Sequence, residues 1–137
     1  MSQSDYAATK ALARANRAFY EAFEAADAAA MRALWVDDAS ATCIHPGGEL
    51  LVGAERVQGS WEAIFRGGQR VRFALEDIEL HLRGEVGWVH LYERLSEEGV
   101  DPSDSPALAA TNLFVLREGV WRMQLHHASP VARRFFD

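Results

Sequence analysis

The hydrophobic period of this chain changes once, at Gly67-Gly68, and little else constrains the fold as strongly. Upstream, Ala8, Leu12, Ala15, Phe19, Ala22/Phe23 and Ala26 recur in steps of three and four, which places them along one stripe of a helix. Ser4 is a candidate cap for its start. Asp27 stands where a second helix begins, with Met31, Leu34 and Trp35 as its apolar face. A third helix is expected from Gly53 onward, carrying Val57, Trp61, Ile64 and Phe65. The paired glycines end it, because they favour positive φ and disfavour helix continuation. Between the second and third helices, residues 41–45 predict a short strand that Pro46-Gly47-Gly48 stops.

Downstream the period is two. Val71, Phe73 and Leu75 alternate, and Ile78, Leu80 and Leu82 alternate in the opposite phase. A one-residue slip inside one strand predicts a β-bulge near Glu76-Asp77 and a bend in the strand. Residues 86–95 form a second strand with Val86, Trp88, His90 and Tyr92 on one face. Residues 108–117 and 120–128 form two more, joined by a tight turn at Glu118-Gly119. The acidic, turn-rich stretch 96–106 is expected to be a mobile hairpin loop. Helices that precede a run of strands, rather than alternating with them, predict an α+β fold with the helices on one sheet face. A bent antiparallel sheet curled over helices makes a cone whose open end is a ready pocket.

Composition narrows the function. The 137 residues predict one domain over 1–137, and 14 Lys+Arg against 20 Asp+Glu leave a net charge of −6. That balance argues against a phosphate-backbone binder, which needs a basic surplus. One cysteine cannot form an internal disulfide. The start has no apolar signal region and no run is long enough to span a bilayer, so a cytoplasmic protein is expected, with no nucleic-acid or membrane partner. No GxGxxG, phosphate-loop or HExxH pattern occurs, so no cofactor is expected; a metal set of His45, His127 and a carboxylate has only weak support.

The candidate site residues come from placement. Trp35, Trp61, Trp88 and Trp121 offer large apolar faces with one donor each, enough to line a pocket for a flat apolar ligand, with Trp61 nearest the expected mouth. His45, at a strand end before a turn, can point into that mouth and act as a general base. Cys43 shares its face, but residues two apart on a strand are expected to lie beyond hydrogen-bond reach, which disfavours a Cys–His pair. In the last strand, alternation of Trp121, Met123, Leu125 and His127 sends His127 inward and His126 outward.

Taken in order, these features resemble the SnoaL-like, ketosteroid-isomerase-like members of the nuclear transport factor 2-like superfamily. The resemblance rests on Phe19-Tyr20-Glu21-Ala22-Phe23 with Ala26-Asp27, on Leu34-Trp35-Val36-Asp37-Asp38-Ala39, on Gly53 with Val57 and Trp61, and on Gly119-Val120-Trp121-Arg122 leading to His127-Ala128-Ser129. It implies a cone-shaped α+β barrel, three N-terminal helices on a curved, mostly antiparallel sheet, commonly a homodimer through the outer sheet face. It also implies roles. His45 before Pro46 takes the place of the isomerase base, Phe19 that of the helix-borne oxyanion tyrosine, with Tyr20 adjacent, and Asn112 that of the second oxyanion donor. The expectation is a small-molecule binder for an apolar or carbonyl compound, working as a cofactor-independent isomerase or lyase through His45, Asn112 and His127. Phe19, Tyr20 and the four tryptophans would line its pocket. The alternative is a non-catalytic association or ligand-sensing domain acting through homodimerisation.

Overall fold

The computed structural model describes residues 2–132. Helix α1 (Gln3–Ala25) starts at a capping box built by Ser2 and Asp5, two residues ahead of the expected cap at Ser4. Ala26 adopts the left-handed conformation that ends it, and Asp27 then caps α2 (Ala28–Leu34) by accepting from the Ala30 amide at 3.0 Å. Strands β1 (Thr42–Ile44) and β2 (Leu50–Val52) form a small hairpin, of which only β1 was expected. Helix α3 (Ala54–Arg66) follows Gly53 and stops at the glycine pair. Four long strands follow: β3 (Val71–Arg83), β4 (Val86–Glu97), β5 (Ala107–Arg117) and β6 (Val120–Pro130).

The six strands form one sheet in the order β2-β1-β6-β5-β4-β3, antiparallel except for the β1–β6 pair. Glu118 and Gly119 both have positive φ (51° and 78°), the geometry of a two-residue hairpin turn that matches strand twist. The 96–106 segment joins β4 to β5, as expected of a hairpin loop. It carries a single 3-10 turn (Pro102–Asp104) capped by Asp101, and Arg94 donates to the Ser105 carbonyl at 2.7 Å. No helix of the described residues is long and apolar enough to cross a membrane.

The bulge foreseen in β3 is present: pairing with β4 shifts between Glu76 and Glu79, and Asp77 sits at φ 54°. A second bulge, in β6, was not foreseen. Leu113 pairs with Leu125, but Phe114 pairs with Met123, so Gln124 is the extra residue. From there the alternation inverts: Trp121 and Met123 point inward, and then His126 and Ala128 do. This reverses the expectation for the histidine pair. His126 is 2% exposed and inside, whereas His127 lies on the outer face.

Helix α1 packs across the inner face of the sheet, chiefly on β3 and β6, while α3 covers β1 and β2. Leu12 of α1 approaches so closely that a Cβ on Gly87 of β4 would lie 2.8 Å from its Cδ2. Phe19, Trp61, Phe114, Met31 and Met123 are fully buried between the layers. Each such side chain contributes roughly 1.5–3 kcal/mol by leaving water.

Candidate functional site

One row of cross-strand neighbours runs through the inner face: Val89, Asn112, His126 and Cys43, from β4, β5, β6 and β1. All four side chains are buried beneath the helices. From α1, Leu12, Asn16 and Tyr20 recur every fourth residue and descend onto that row, and from β4 Glu93 shares the inward parity of Val89 and Leu91.

The result is a buried hydrogen-bond network. Tyr20 Oη donates to Glu93 Oε2 at 2.5 Å, and Asn112 Nδ2 donates both to Tyr20 Oη at 3.1 Å and to Asn16 Oδ1 at 2.9 Å. Asn112 Oδ1 lies 2.6 Å from His126 Nδ1. An amide oxygen only accepts, so His126 carries its proton on Nδ1. Burial pushes the Glu93 carboxyl up to about 7, against the opposing pull of the Tyr20 hydrogen bond. Burial likewise pushes His126 down to about 3, with His45 and His127 adding repulsion, so its imidazole is neutral. Tyr20 is raised well above its ordinary range by burial and by the neighbouring Glu93 charge.

Sequence reasoning missed Glu93. Tyr20, not only Phe19, reaches the interior: Phe19 packs edge-on to Tyr20 at 4.8 Å and to Trp61 at 5.5 Å, so both residues face the core. A signal for Glu93 was present, since a carboxylate there interrupts the Gly87, Val89, Leu91 and Leu95 face of its strand.

His45 occupies the other end of the inner face. Its Nε2 lies 2.9 Å from Ser60 Oγ, which in turn donates its only proton to the Val57 carbonyl at 2.6 Å. Ser60 must therefore accept from His45, which puts the imidazole proton on Nε2 and a lone pair on Nδ1. Partial burial lowers the His45 pKa, which favours this neutral form. The ring stands edge-on to Trp61 at 4.8 Å. Cys43 Sγ is 3.6 Å from Nε2 and 3.9 Å from Nδ1, closer than expected for residues two apart. What disarms this thiol is burial, which pushes it up to about 12. On the buried side of α3, Trp61 Nε1 and Gln58 Nε2 have no hydrogen-bond partner among the described residues. Two orphan buried donors on one helix face are unusual and call for an acceptor.

The expected site residues thus fall into three places. His45, Trp61 and Phe19 lie together, and Tyr20 and Asn112 adjoin them through His126, whose ring is 4.8 Å from Phe19 and 6.0 Å from Trp61. Asn112 does not converge with His45, because its amide is already engaged by Asn16, Tyr20 and His126. Trp35 and Trp121 are buried at the α2 end of the core, where Trp35 Nε1 points to Met31 Sδ at 3.4 Å and Trp35 bridges to Met123. Trp88 and His127 belong to the outer face, for they share the parity of exposed His90 and Thr111. The four tryptophans therefore do not line one cavity. The interior is filled by rings, with Phe23 packing on Trp61, Phe65 and Phe73. A small cleft of about 110 Å³ between α1 and β3 reaches Asn16, and a larger one of about 530 Å³ lies on the outer face.

Residues 12–133 match the family model described as a SnoaL-like domain. Among curated proteins, the F-box protein SKIP8 of Arabidopsis thaliana is 31% identical over 124 residues, 90% of this chain and 51% of the relative. The chain thus spans about half the length of that relative. Among solved structures, a candidate dehydratase of the NTF2-like family from Streptomyces avermitilis superposes with a TM-score of 0.85 at 28% identity, covering 94% of this chain and 99% of that one. A candidate calcium/calmodulin-dependent protein kinase type II association domain from Thiobacillus denitrificans gives 0.78 at 34% identity, covering 86% and 93%.

Proposed function

Because the chain belongs to the SnoaL-like domain family, we propose that it is a small-molecule isomerase or lyase working by proton transfer at His45. The observation that carries this reading is the pairing of a neutral, half-buried base with two unpartnered donors, Trp61 Nε1 and Gln58 Nε2. Proton abstraction next to a carbonyl needs those two parts: a base for the proton and donors for the oxygen that takes up the electron pair. His45 Nδ1 takes the proton, and the enolate oxygen accepts from Trp61 and Gln58. Return of the proton to another carbon completes an isomerisation; loss of a β-hydroxyl as water completes a dehydration. The likeness to a candidate dehydratase supports this class. Phe19 and Trp61 pack edge-on to each other, with Trp61 in turn edge-on to His45, so the surroundings of the base are apolar.

The buried network serves as the floor. Asn112 and Tyr20 hold one arrangement of hydrogen bonds, and His126 stays neutral beneath the Phe19 and Trp61 rings. The test is deuterium wash-in next to the carbonyl of a panel of apolar ketones in D2O. Exchange that is faster with the wild type than with His45→Gln supports the reading; equal rates across the panel remove His45 from it.

A second reading, assembly through the outer sheet face, has its own support. Trp88, Leu113 and Leu125 form a cross-strand apolar row on the face away from the helices, with Tyr92 39% exposed nearby. The likeness to an association domain accords with it. Sedimentation of the full chain at micromolar concentration separates a dimer from a monomer, and Trp88→Glu should dissociate a dimer formed this way.

A further inference from the structure

Across the sheet from the helices, three potential ligand atoms converge. His81 Nε2 lies 3.0 Å from His90 Nε2, and His90 Nε2 lies 3.2 Å from Glu79 Oε2. All three atoms are within 4.8 Å of one another. We propose that Glu79, His81 and His90 form a divalent transition-metal site of the two-histidine, one-carboxylate type.

Register builds the site. Glu79 and His81 are two apart on β3 and so share a face, and Glu79 is paired directly with His90 on β4. They share the outer face only because of the bulge between Glu76 and Glu79. Without that extra residue the phase set by Phe73 and Leu75 would run on, and Glu79 and His81 would point into the core. Bulges are a recurring means of re-aiming side chains beside functional sites. Asp77 adopts φ 54° to make this one, a costly conformation for a residue other than glycine. The His81 ring is also held in plane, stacked on Trp88 at 5.1 Å and 18°.

The spacings suit a metal. Bonds of ~2.0–2.1 Å from nitrogen or oxygen to zinc imply ligand atoms roughly 3.3 Å apart around a tetrahedron; two of the three spacings, 3.0 and 3.2 Å, are close to this, and the third is within 4.8 Å. Without a cation the three atoms are hard to satisfy. A proton on His90 Nε2 can lie on a good line to the carboxylate or to His81, not to both. Moving it to His81 leaves the carboxylate against a lone pair. A cation uses one lone pair from each. Two imidazoles and one carboxylate favour zinc, iron, nickel or copper over magnesium or calcium. Glu79 and His90 are 66% and 46% exposed, so a fourth position is open to water. The site stands at the edge of the 530 Å³ outer cleft, in line with Thr111 and His127 along one cross-strand row. It is independent of the His45 site.

The experiment is zinc titration of the full, tag-free chain by calorimetry, with equilibrium dialysis for stoichiometry. The expected result is one zinc per chain at micromolar affinity or tighter. Because the ligands are surface residues, His81→Gln and His90→Gln should keep the native circular dichroism spectrum. Each should weaken binding by at least the ~10–100-fold typical of losing a mere outer-shell partner, and Glu79→Gln should weaken it by about tenfold. His127→Gln should leave affinity unchanged. No stoichiometric zinc binding, or binding that persists in both His81→Gln and His90→Gln, would overturn the assignment.

Discussion

Replacing Glu93 by glutamine should change how stability depends on pH, in a direction fixed by burial. The Glu93 carboxyl is 3% exposed and is pushed up from 4.5 to about 7. Below pH 4.5 it is protonated in both folded and unfolded chains, so its contribution is fully present. Between 4.5 and about 7 the unfolded chain releases its proton while the native state holds it. The native state then binds more protons, and stability falls as pH rises. At about 1.4 kcal/mol for each pH unit separating the two values, the total loss is about 3 kcal/mol. A glutamine side chain cannot titrate, so this loss disappears in the variant. Its amide also lacks a partner for its own donors, which adds a penalty of roughly 1–3 kcal/mol that is constant with pH.

His126 acts in the opposite sense. Its folded value is pushed from 6.5 down to about 3, so stability is full above 6.5 and is lost as pH falls. Between pH 4.5 and 6.5 the two slopes oppose each other, and the wild type should show a nearly flat profile. Glu93→Gln should uncover the histidine slope, up to about 1.4 kcal/mol per pH unit. Urea unfolding followed by tryptophan fluorescence at pH 5, 6, 7 and 8 reads this directly. With m near 1–3 kcal/mol/M, the midpoint difference between variant and wild type should move by about 1–3 M across the range. Parallel profiles, separated by a constant offset, would refute the assignment of a raised carboxyl to Glu93.

Other consequences are simpler to read. The Cys43 thiol, buried and pushed up to about 12, should resist thiol reagents at pH 8 in the native protein and react at once in urea. Gly87→Ala should cost about 1–3 kcal/mol by overpacking against Leu12. Leu12→Ala in the same chain should recover part of that cost, so the two variants will not add. The His45 ring protons should titrate below 6.5 by NMR, and Ser60→Ala should move that titration by removing the partner of Nε2.

How much of this was legible in the sequence depended on whether apolar side chains reported each phase. The β3 bulge was legible because Val71, Phe73 and Leu75 on one side and Leu80 and Leu82 on the other announce opposite parities. The β6 bulge at Gln124 was not. Leu125 prolongs the alternation of Trp121 and Met123, while the true inward residues after the bulge are a histidine and an alanine. Hydrophobicity therefore pointed to the wrong histidine. The network was hidden for a related reason: Asn16, Tyr20, Glu93 and Asn112 are polar, and only their mutual hydrogen bonds make burial tolerable. The helices and their ends were legible, since Asp27 and the paired glycines act through local backbone chemistry. His45 stands out in the sequence by its place before a turn, but its proton position depends on Ser60 and Val57, fifteen and twelve residues away in sequence.

The proposed function requires the face of α3 carrying Trp61 and Gln58 to receive an acceptor oxygen beside His45. The indole N–H resonance of Trp61, assigned by its loss in Trp61→Phe, tests it during titration with apolar ketones. The expected result is a downfield shift that saturates with ligand, with weaker binding in His45→Gln. An indole signal unmoved by every ketone, while the protein remains folded, would contradict it.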